Sequence, residues 1–311
     1  MKKIIIAIIL LFSILFASGC SDKKEAYINA NDPIVLGTMI DTEGGVIGNL
    51  IMLSLEENNY LVEDKIQFGT PDVQRKALLE KVLDIGVDYT GNGQFYSEGY
   101  PAATWSDAED AYKAINQADL NNGLVWLKPG PANNTESLAI TKEFSKKNSI
   151  ITMYDFAKYV NNGGKVKLIT AQTFAENTVG LKGLEESYGF KLKPEQLILL
   201  PHGNTSEMIK ALAEGTNDVT VSLVYATDGA LNELNLVIIQ DDKSIPPVYN
   251  PSAVVKKEVA DKYPEIKMII EEVFSGLDNT TLQEMNKKVV VDGLSPKEVA
   301  KEFLKTKGII K

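Results

Sequence analysis

Four short stretches of the sequence combine carboxylates, amides, hydroxyls and tyrosines with glycines, residue types that are suited to holding a small polar ligand. They are residues 41–45 (DTEGG), 88–93 (DYTGNG), 131–136 (PANNTE) and 225–229 (YATDG). Each follows an apolar run typical of a strand, and most precede a helical pattern. Ligands of open α/β sheets bind at the carboxyl ends of strands, beside helix N-termini. The same residues also suit turns and helix caps, so the spacing alone leaves both interpretations open.

Catalytic chemistry has little support in the sequence. Cys20 is the only cysteine and His202 the only histidine, which excludes an internal disulfide and any site built from several cysteines or histidines. A Ser–His–Asp triad would have to use His202, but the Pro-His-Gly-Asn setting favours a surface loop. The nucleophile-elbow, Walker and zinc-protease motifs do not occur. We therefore expect a protein that is not an enzyme and that uses no metal and no cofactor.

Apolar periodicity alternates between two patterns along most of the chain. Strands are predicted over 34–39, 83–89, 165–170, 196–200, 219–224 and 236–240, and helices over 46–55, 73–82, 176–188 and 206–214. This alternation predicts an α/β chain with largely parallel sheets. The last part is helical, with helices expected over 256–262, 264–275, 281–290 and 295–307. The net charge of −10, without a basic stripe, argues against nucleic acid as a partner.

The four stretches overlap four of six strings that together resemble the periplasmic osmoprotectant-binding proteins, which bind glycine betaine, choline or carnitine for ABC importers. The strings are IDTEGGVIGN, VDYTGNG, WLKPGPANNT, ESYGFKL, VYATDG and PPVYNPSAVV. The resemblance implies a two-lobed α/β fold of the periplasmic-binding-protein type (type II-like), with two crossing hinge strands and a ligand cleft between the lobes. The crossings are expected near 128–131 and 236–240. Lobe 1 would comprise 34–131 and 237–311, and lobe 2 would comprise 132–236.

The resemblance also implies an aromatic cage around a methylated ammonium group. Ring faces carry partial negative charge, so they hold a cation that cannot donate hydrogen bonds. Tyr89, Tyr225 and Tyr249 fall on aromatic positions of that cage. A half-buried core tyrosine with a satisfied hydroxyl is the alternative at each position. Further ligand contacts are expected from polar residues of the same stretches, namely Asn92, Asn134 and Thr227.

Three positions depart from the family pattern. Met39 stands where a lysine is frequent, Asn177 where an arginine can hold the ligand carboxylate, and Glu136 where an aromatic residue is usual. Because a trapped carboxylate needs donors, these changes predict a preference for choline-like or polyamine-like cations over glycine betaine. That preference disappears if Glu136 points to solvent and if Arg75 or Lys182 replaces the lost cations.

The N-terminus has the features of an export signal. A basic start, an apolar run over 4–16 and small residues precede Cys20, so 1–19 are predicted to be a signal peptide. An uncleaved membrane anchor is the alternative. Cys20 resembles the acylated cysteine of a lipobox, although Ala17 stands where leucine is usual, and 20–33 would be the lipidated cysteine and its tether.

The expectations combine into an exported, membrane-anchored monomer at the periplasmic or cell surface. It would bind a small cationic solute and deliver it to the permease and ATPase subunits of an ABC importer. The same fold binding a polyamine, an amino acid or a neutral compound, or acting as a surface sensor, remains an alternative.

Overall fold

The structure is a computed structural model and describes residues 33–201 and 205–311. The strands are β1 (Ile34–Met39), β2 (Val62–Gly69), β3 (Ile85–Tyr89), β4 (Leu124–Trp126), β5 (Glu136–Thr141), β6 (Leu168–Ala171), β7 (Leu197–Leu200), β8 (Val221–Tyr225), β9 (Leu236–Ile238) and β10 (Pro251–Lys256). The α-helices are α1 (Thr42–Glu57), α2 (Pro71–Leu79), α3 (Gly93–Tyr96), α4 (Ala108–Leu120), α5 (Lys142–Asn148), α6 (Met153–Asn161), α7 (Gln172–Glu176), α8 (Leu181–Tyr188), α9 (Thr205–Glu214), α10 (Ala230–Glu233), α11 (Lys257–Lys262), α12 (Glu265–Ser275), α13 (Asn279–Val290) and α14 (Pro296–Thr306). Within these described ranges, none of the helices has the length and apolar character needed to cross a bilayer.

The strands form two five-stranded sheets, in the orders β2-β1-β3-β10-β4 and β7-β6-β8-β5-β9. Lobe 1 denotes the first sheet with its helices, and lobe 2 the second. Strand β1 is parallel to β2 and β3, but β10 is antiparallel to β3 and β4. In lobe 2, β6 is parallel to β7 and β8, whereas β5 is antiparallel to β8 and β9. The expectation of largely parallel sheets is therefore wrong, because each sheet contains a strand that enters directly from the other lobe and runs in the opposite direction.

The connection between β1 and α1 brings polar residues to the edge of the lobe 1 sheet. Asp41 caps the helix, since its carboxylate accepts a hydrogen bond from the backbone nitrogen of Gly44 at 2.6 Å. A side chain at Gly44 would overlap the carbonyl oxygen of Met39, so glycine lets the helix begin directly against the strand end. The first turn of α1, including Glu43, is thereby held beside the carboxyl end of β1.

Each lobe has its own apolar core. The core of lobe 2 includes the fully buried rings of Phe156 and Phe174. In lobe 1, helices α11–α14 contribute buried residues such as Phe274 and Leu304, which pack in one cluster with Leu50 of α1. The C-terminal helices thus complete the lobe in which the described chain begins.

Two crossings connect the sheets, at 127–135 and at 239–250. The expected return crossing at 236–240 is wrong, because β9 pairs with β5 and so belongs to the lobe 2 sheet. Its apolar sequence predicts a strand but does not reveal which sheet the strand joins. The boundary expected between 236 and 237 accordingly falls inside β9.

The two crossings lie side by side and are joined by hydrogen bonds. The backbone nitrogen of Asn134 donates to the carbonyl oxygen of Tyr249 at 2.9 Å, and the Tyr249 nitrogen donates to Asn133 Oδ1 at 2.8 Å. Asn250 Nδ2 donates to the carbonyl oxygen of Ala132 at 2.7 Å. These bonds fix Tyr249 at the junction between the lobes.

Candidate ligand-binding cleft

Residues of both lobes meet where several strands begin or end. Asp41 follows β1, Tyr89 ends β3, Tyr225 ends β8 and Glu136 begins β5. Glu136 is the cross-strand partner of Tyr225. Burial, then the charges of Glu136 and Asp228, and last that of Asp41, raise the pKa of Tyr225, so Asp41 of lobe 1 acts electrostatically on Tyr225 of lobe 2. We call this region the cleft.

The three predicted cage tyrosines occupy two different environments. Tyr225 and Tyr249 are partly exposed, and burial followed by the nearby charge of Glu136 raises the pKa of both hydroxyls. Tyr89 is only 7% exposed, and its hydroxyl donates a hydrogen bond to Glu43 Oε1 at 2.6 Å. The structure thus brings Tyr225 and Tyr249 together around Glu136, while Tyr89 lies deeper with its hydroxyl engaged.

The loop after β3 supports Tyr249. A side chain at Gly91 would place its Cβ 2.9 Å from atoms of the Tyr249 ring, so only glycine leaves room for the ring at this position. Gln94 Nε2 donates to the Tyr249 hydroxyl at 3.1 Å. Asn92 Nδ2 donates to Asp88 Oδ1 at 2.7 Å and stabilises the turn, and contact of Asn92 with ligand stays a prediction.

The cleft is acidic. Burial raises the pKa of Glu136 to about 7, and among the described residues no hydrogen bond or ion pair reaches its carboxylate. Asp228 accepts hydrogen bonds from the Tyr225 backbone nitrogen at 2.7 Å and from Thr205 Oγ1 at 3.1 Å, yet burial raises its pKa to about 6. Asp41 adds a third carboxylate, whose charge acts on Asp228 and Tyr225. A cation entering the cleft would compensate charges that the protein leaves unpaired.

Glu43 is a buried carboxylate behind the cleft, with 5% exposure. It accepts hydrogen bonds from Tyr89, from Asn286 Nδ2 at 2.7 Å and from Asn134 Nδ2 at 3.3 Å. Burial raises its pKa to about 7, while hydrogen bonds from Thr227, Tyr89 and Asn286 oppose that shift. Asn134, which the sequence predicts to contact ligand, thus binds the Glu43 carboxylate, and Thr227, the other predicted contact, lies close enough to Glu43 to lower its pKa.

The only arginine of the sequence is not available to a ligand. Arg75 donates to both oxygens of Asp119, at 3.0 and 2.7 Å, and its guanidinium carbon lies 3.8 Å from the centre of the Tyr96 ring. The hypothesis that Arg75 replaces a lost ligand-binding cation is therefore wrong. Lys182, the other candidate, is exposed on α8.

Two further predicted site residues lie at strand and helix ends. Met39 ends β1 and is 5% exposed. Asn177 lies between α7 and α8, and its Oδ1 accepts a hydrogen bond from the Val179 nitrogen at 3.1 Å. The helix expected over 176–188 begins only at Leu181, so Asn177 does not start a helix. Contact of Met39 and Asn177 with ligand stays a prediction, and Cys20 and His202 lie outside the described residues.

Sequence analysis missed four residues that shape this region: Asp41, Glu43, Asp228 and Gln94. The strings DTEGG and YATDG, in which three of them occur, were recognised only as whole stretches. An acid directly after an apolar strand was the available signal, because such an acid must either cap a helix or face a ligand. No signal distinguished Gln94, whose role depends on the distant Tyr249.

Comparison with known proteins identifies the family. Residues 32–306 match the model of the substrate-binding domain of ABC-type glycine betaine transport systems. The chain belongs to this family. The family membership predicted from the six strings is confirmed. The family is one of substrate-binding domains of ABC transport systems, and it is not an enzyme family.

Two relatives are similar to this chain over most of its length. The glycine betaine-binding protein YehZ of Escherichia coli (strain K12) is 38% identical over 282 residues, which cover 90% of this chain and 92% of the relative. The solved structure of apo YehZ from Escherichia coli covers 89% of this chain and 99% of that chain, with a TM-score of 0.78. The ergothioneine transport permease/ergothioneine binding protein EgtU of Helicobacter pylori (strain G27) is 31% identical over 281 residues, which cover 89% of this chain but 48% of the relative. The two-lobed α/β fold is thereby confirmed.

Proposed function

We propose that this chain binds a small quaternary-ammonium cation without a carboxylate in its cleft and delivers it to an ABC permease. The observation that carries the proposal is Glu136, an acid without a partner among the described residues and adjacent to Tyr225 and Tyr249. Ring faces and a carboxylate both attract a cation, and neither requires the cation to donate a hydrogen bond. Choline has this chemistry.

Glycine betaine makes a further demand on the site. Its carboxylate, once enclosed between the lobes, needs donors, and an unpaired buried charge costs several kcal/mol. The single arginine is bound to Asp119, and Asp41 and Glu136 would repel a carboxylate. YehZ, the 38% identical relative, is named a glycine betaine-binding protein. The charge balance of this cleft predicts that this chain instead prefers a cation without a carboxylate.

The test compares choline with glycine betaine by titration calorimetry on the wild type and on Glu136→Gln. The wild type should bind choline more tightly. Removing the charge of Glu136 should reduce the ratio of the glycine betaine dissociation constant to the choline dissociation constant by about tenfold, which corresponds to about 1.4 kcal/mol. Glu109→Gln, an exposed acid on α4, makes the same change in net charge and should leave the ratio unaltered. Equal or tighter binding of glycine betaine by the wild type would refute the preference.

The remaining parts of the proposal concern chemistry, anchoring and assembly. The chain acts as a monomer without a catalytic step, and transport energy comes from the ATPase of the importer. Lipid on Cys20 would hold the exported protein at the membrane surface. The alternatives are a polyamine, an amino acid or a neutral compound as the solute, or a sensor role. A thermal-shift screen of candidate solutes examines them, because a ligand at a hundred times its dissociation constant adds about 2.7 kcal/mol to the free energy of unfolding.

A further inference from the structure

Glu43 lies where lobe 1, lobe 2 and the first crossing meet, and the proposed binding of a cation does not require it to touch the ligand. Its donors come from three elements: Tyr89 from β3, Asn286 from α13 and Asn134 from the crossing. Lobe 2 joins this network through Thr227, whose carbonyl oxygen accepts from Asn286 Nδ2 at 2.9 Å and whose side chain lowers the pKa of Glu43. A carboxylate that accepts several hydrogen bonds orients every donor around it. Glu43 therefore links groups that are otherwise far apart in the chain.

The lobe 2 side of this junction is a close backbone contact with α13. Asn286 Nδ2, while bonded to Glu43, also donates to the carbonyl oxygen of Thr227 at 2.9 Å. Nearby, a side chain at Gly229 would overlap the backbone of α13 at Lys287, so the lobe 2 segment rests directly on the helix. A displacement of lobe 2 at this contact must therefore move a group that holds the Glu43 carboxylate.

The lobe 1 side of the junction is Tyr89. Its hydroxyl donates a hydrogen bond to Glu43 Oε1 at 2.6 Å. Because the side chain is buried, the hydroxyl cannot readily turn to another acceptor. The ring belongs to the strand end that faces the cleft. The same carboxylate thus contacts both the inter-lobe junction and one of the predicted cage residues.

We propose that Glu43 is a positioning residue through which the contact of residues 226–229 with α13 sets the orientation of the Tyr89 ring. Lobe position and cage geometry then change together. The effect on affinity rests on the proposed function, in which Tyr89 forms part of the cage, whereas the mechanical coupling does not. A purely structural Glu43 would stabilise the fold but would not transmit a change in lobe 2 to Tyr89.

The coupling can be tested without ligand by fluorine NMR on protein labelled with 3-fluorotyrosine. Tyr89→Phe identifies the Tyr89 resonance. Thr227→Val removes the lobe 2 hydroxyl and should shift that resonance in the wild type, but not in the Glu43→Gln background. The matched control is Asn232→Ala, which removes the 3.3 Å bond from Asn232 to Gln283 at the same interface without touching Glu43.

Each outcome of the NMR experiment decides the proposal. A shift with Thr227→Val that is absent with Asn232→Ala supports it, even if Glu43→Gln fails to fold. An unchanged Tyr89 resonance in Thr227→Val overturns it. An equal shift in the presence and absence of the Glu43 carboxylate also overturns it, because the signal would then travel by another route.

Calorimetry with choline and glycine betaine tests the effect on the site. Glu43→Gln, which removes the charge and one acceptor oxygen, should weaken the better-bound probe about tenfold. Adding Tyr89→Phe should weaken it less than twofold further, because both changes act on the same contact between Tyr89 and residue 43. Fully additive losses would contradict the coupling to the cage. If the wild type binds neither probe, the proposed function fails while the NMR result still decides the role of Glu43.

Discussion

Replacing Arg75 with methionine separates stability from ligand recognition. The substitution keeps an unbranched side chain that can pack like the arginine stem, but it removes the two hydrogen bonds to Asp119. Asp119, almost fully buried, would keep only Trp126 Nε1 at 2.7 Å and Asn122 Nδ2 at 3.0 Å as donors. The variant therefore contains a buried carboxylate without a counter-charge, in lobe 1 but outside the cleft.

The expected loss follows from this geometry. Removing one partner of a buried ion pair costs about 3–5 kcal/mol, which lowers the Tm by about 6–20 °C at about 2–4 °C per kcal/mol. Burial alone would raise the pKa of Asp119, but its hydrogen bonds, with Arg75 first, hold the pKa below its usual value. In the wild type this stabilisation is present above the unfolded-state pKa and is lost as the pH falls through the folded-state pKa. In Arg75→Met the folded-state pKa is raised instead, so the variant should recover stability on acidification from pH 7 to pH 5.

The assay combines thermal unfolding with titration of choline and glycine betaine. Arg75→Met should have a lower Tm, while the ratio of the two dissociation constants stays within about twofold of the wild type. Adding Asp119→Asn should restore much of the stability, because the uncompensated charge is then gone. A variant with an unchanged Tm that has lost discrimination between the probes would refute the reasoning and make Arg75 a ligand-binding residue.

Four further perturbations test the cleft and the anchor. Tyr225→Ala should weaken the best cationic ligand by about 1–2 kcal/mol in calorimetry, and Tyr225→Phe, which keeps the ring, by much less. Gly91→Ala should weaken binding at least as much, because its methyl group displaces the Tyr249 ring; an unchanged affinity would show that this ring is not in the site. Cation affinity should rise from pH 5 to pH 8 as Glu136 loses its proton near pH 7, and the rise should flatten in Glu136→Gln. Ligand-free protein should show the opposite trend for this group, since a raised folded-state pKa contributes stability that declines as the pH rises. Cys20→Ser should move the protein from the membrane to the soluble fraction or leave an uncleaved precursor, whereas a mature-length protein that stays with membranes would exclude lipidation.

Local sequence patterns predicted many elements because their causes are local. Strand β1 has the bounds expected from its apolar run, and α9 and α12 begin and end within one residue of their predicted limits. Strong periodicity and nearby caps determine such elements. The helix predicted over 176–188 ends at the expected residue but begins only at Leu181, because the Asn177 side chain bonds the backbone two residues on and favours a turn.

Long-range pairing was beyond the reach of these patterns. Strands β2, β4, β5 and β10 were not predicted, and the sheet that contains β9 was assigned wrongly. The partners of β5, β9 and β10 lie far away in the chain, as in the pairs of Glu136 with Tyr225 and of Pro251 with Tyr89. The site shows the same division. Tyr225 and Glu136 were predicted as site residues, but their adjacency follows from the register of β5 with β8. Likewise, nothing local reveals that Asn134 binds Glu43 or that Thr227 lies near enough to lower the pKa of Glu43.

The roles of three acids in this protein follow from their partners rather than from their residue type. Asp119 is neutralised by Arg75, so it contributes stability and has little attraction left for a solute. Glu43 accepts hydrogen bonds from several elements, so its charge is used in holding them in place. Only Glu136 combines proximity to the cleft tyrosines with a carboxylate that no described residue satisfies. A largely desolvated acid in that condition either takes up a proton or attracts a cation. If the proposed function holds, cation binding and proton release at Glu136 are linked, and a solute that brings a second, negative charge is disfavoured because this acid repels it.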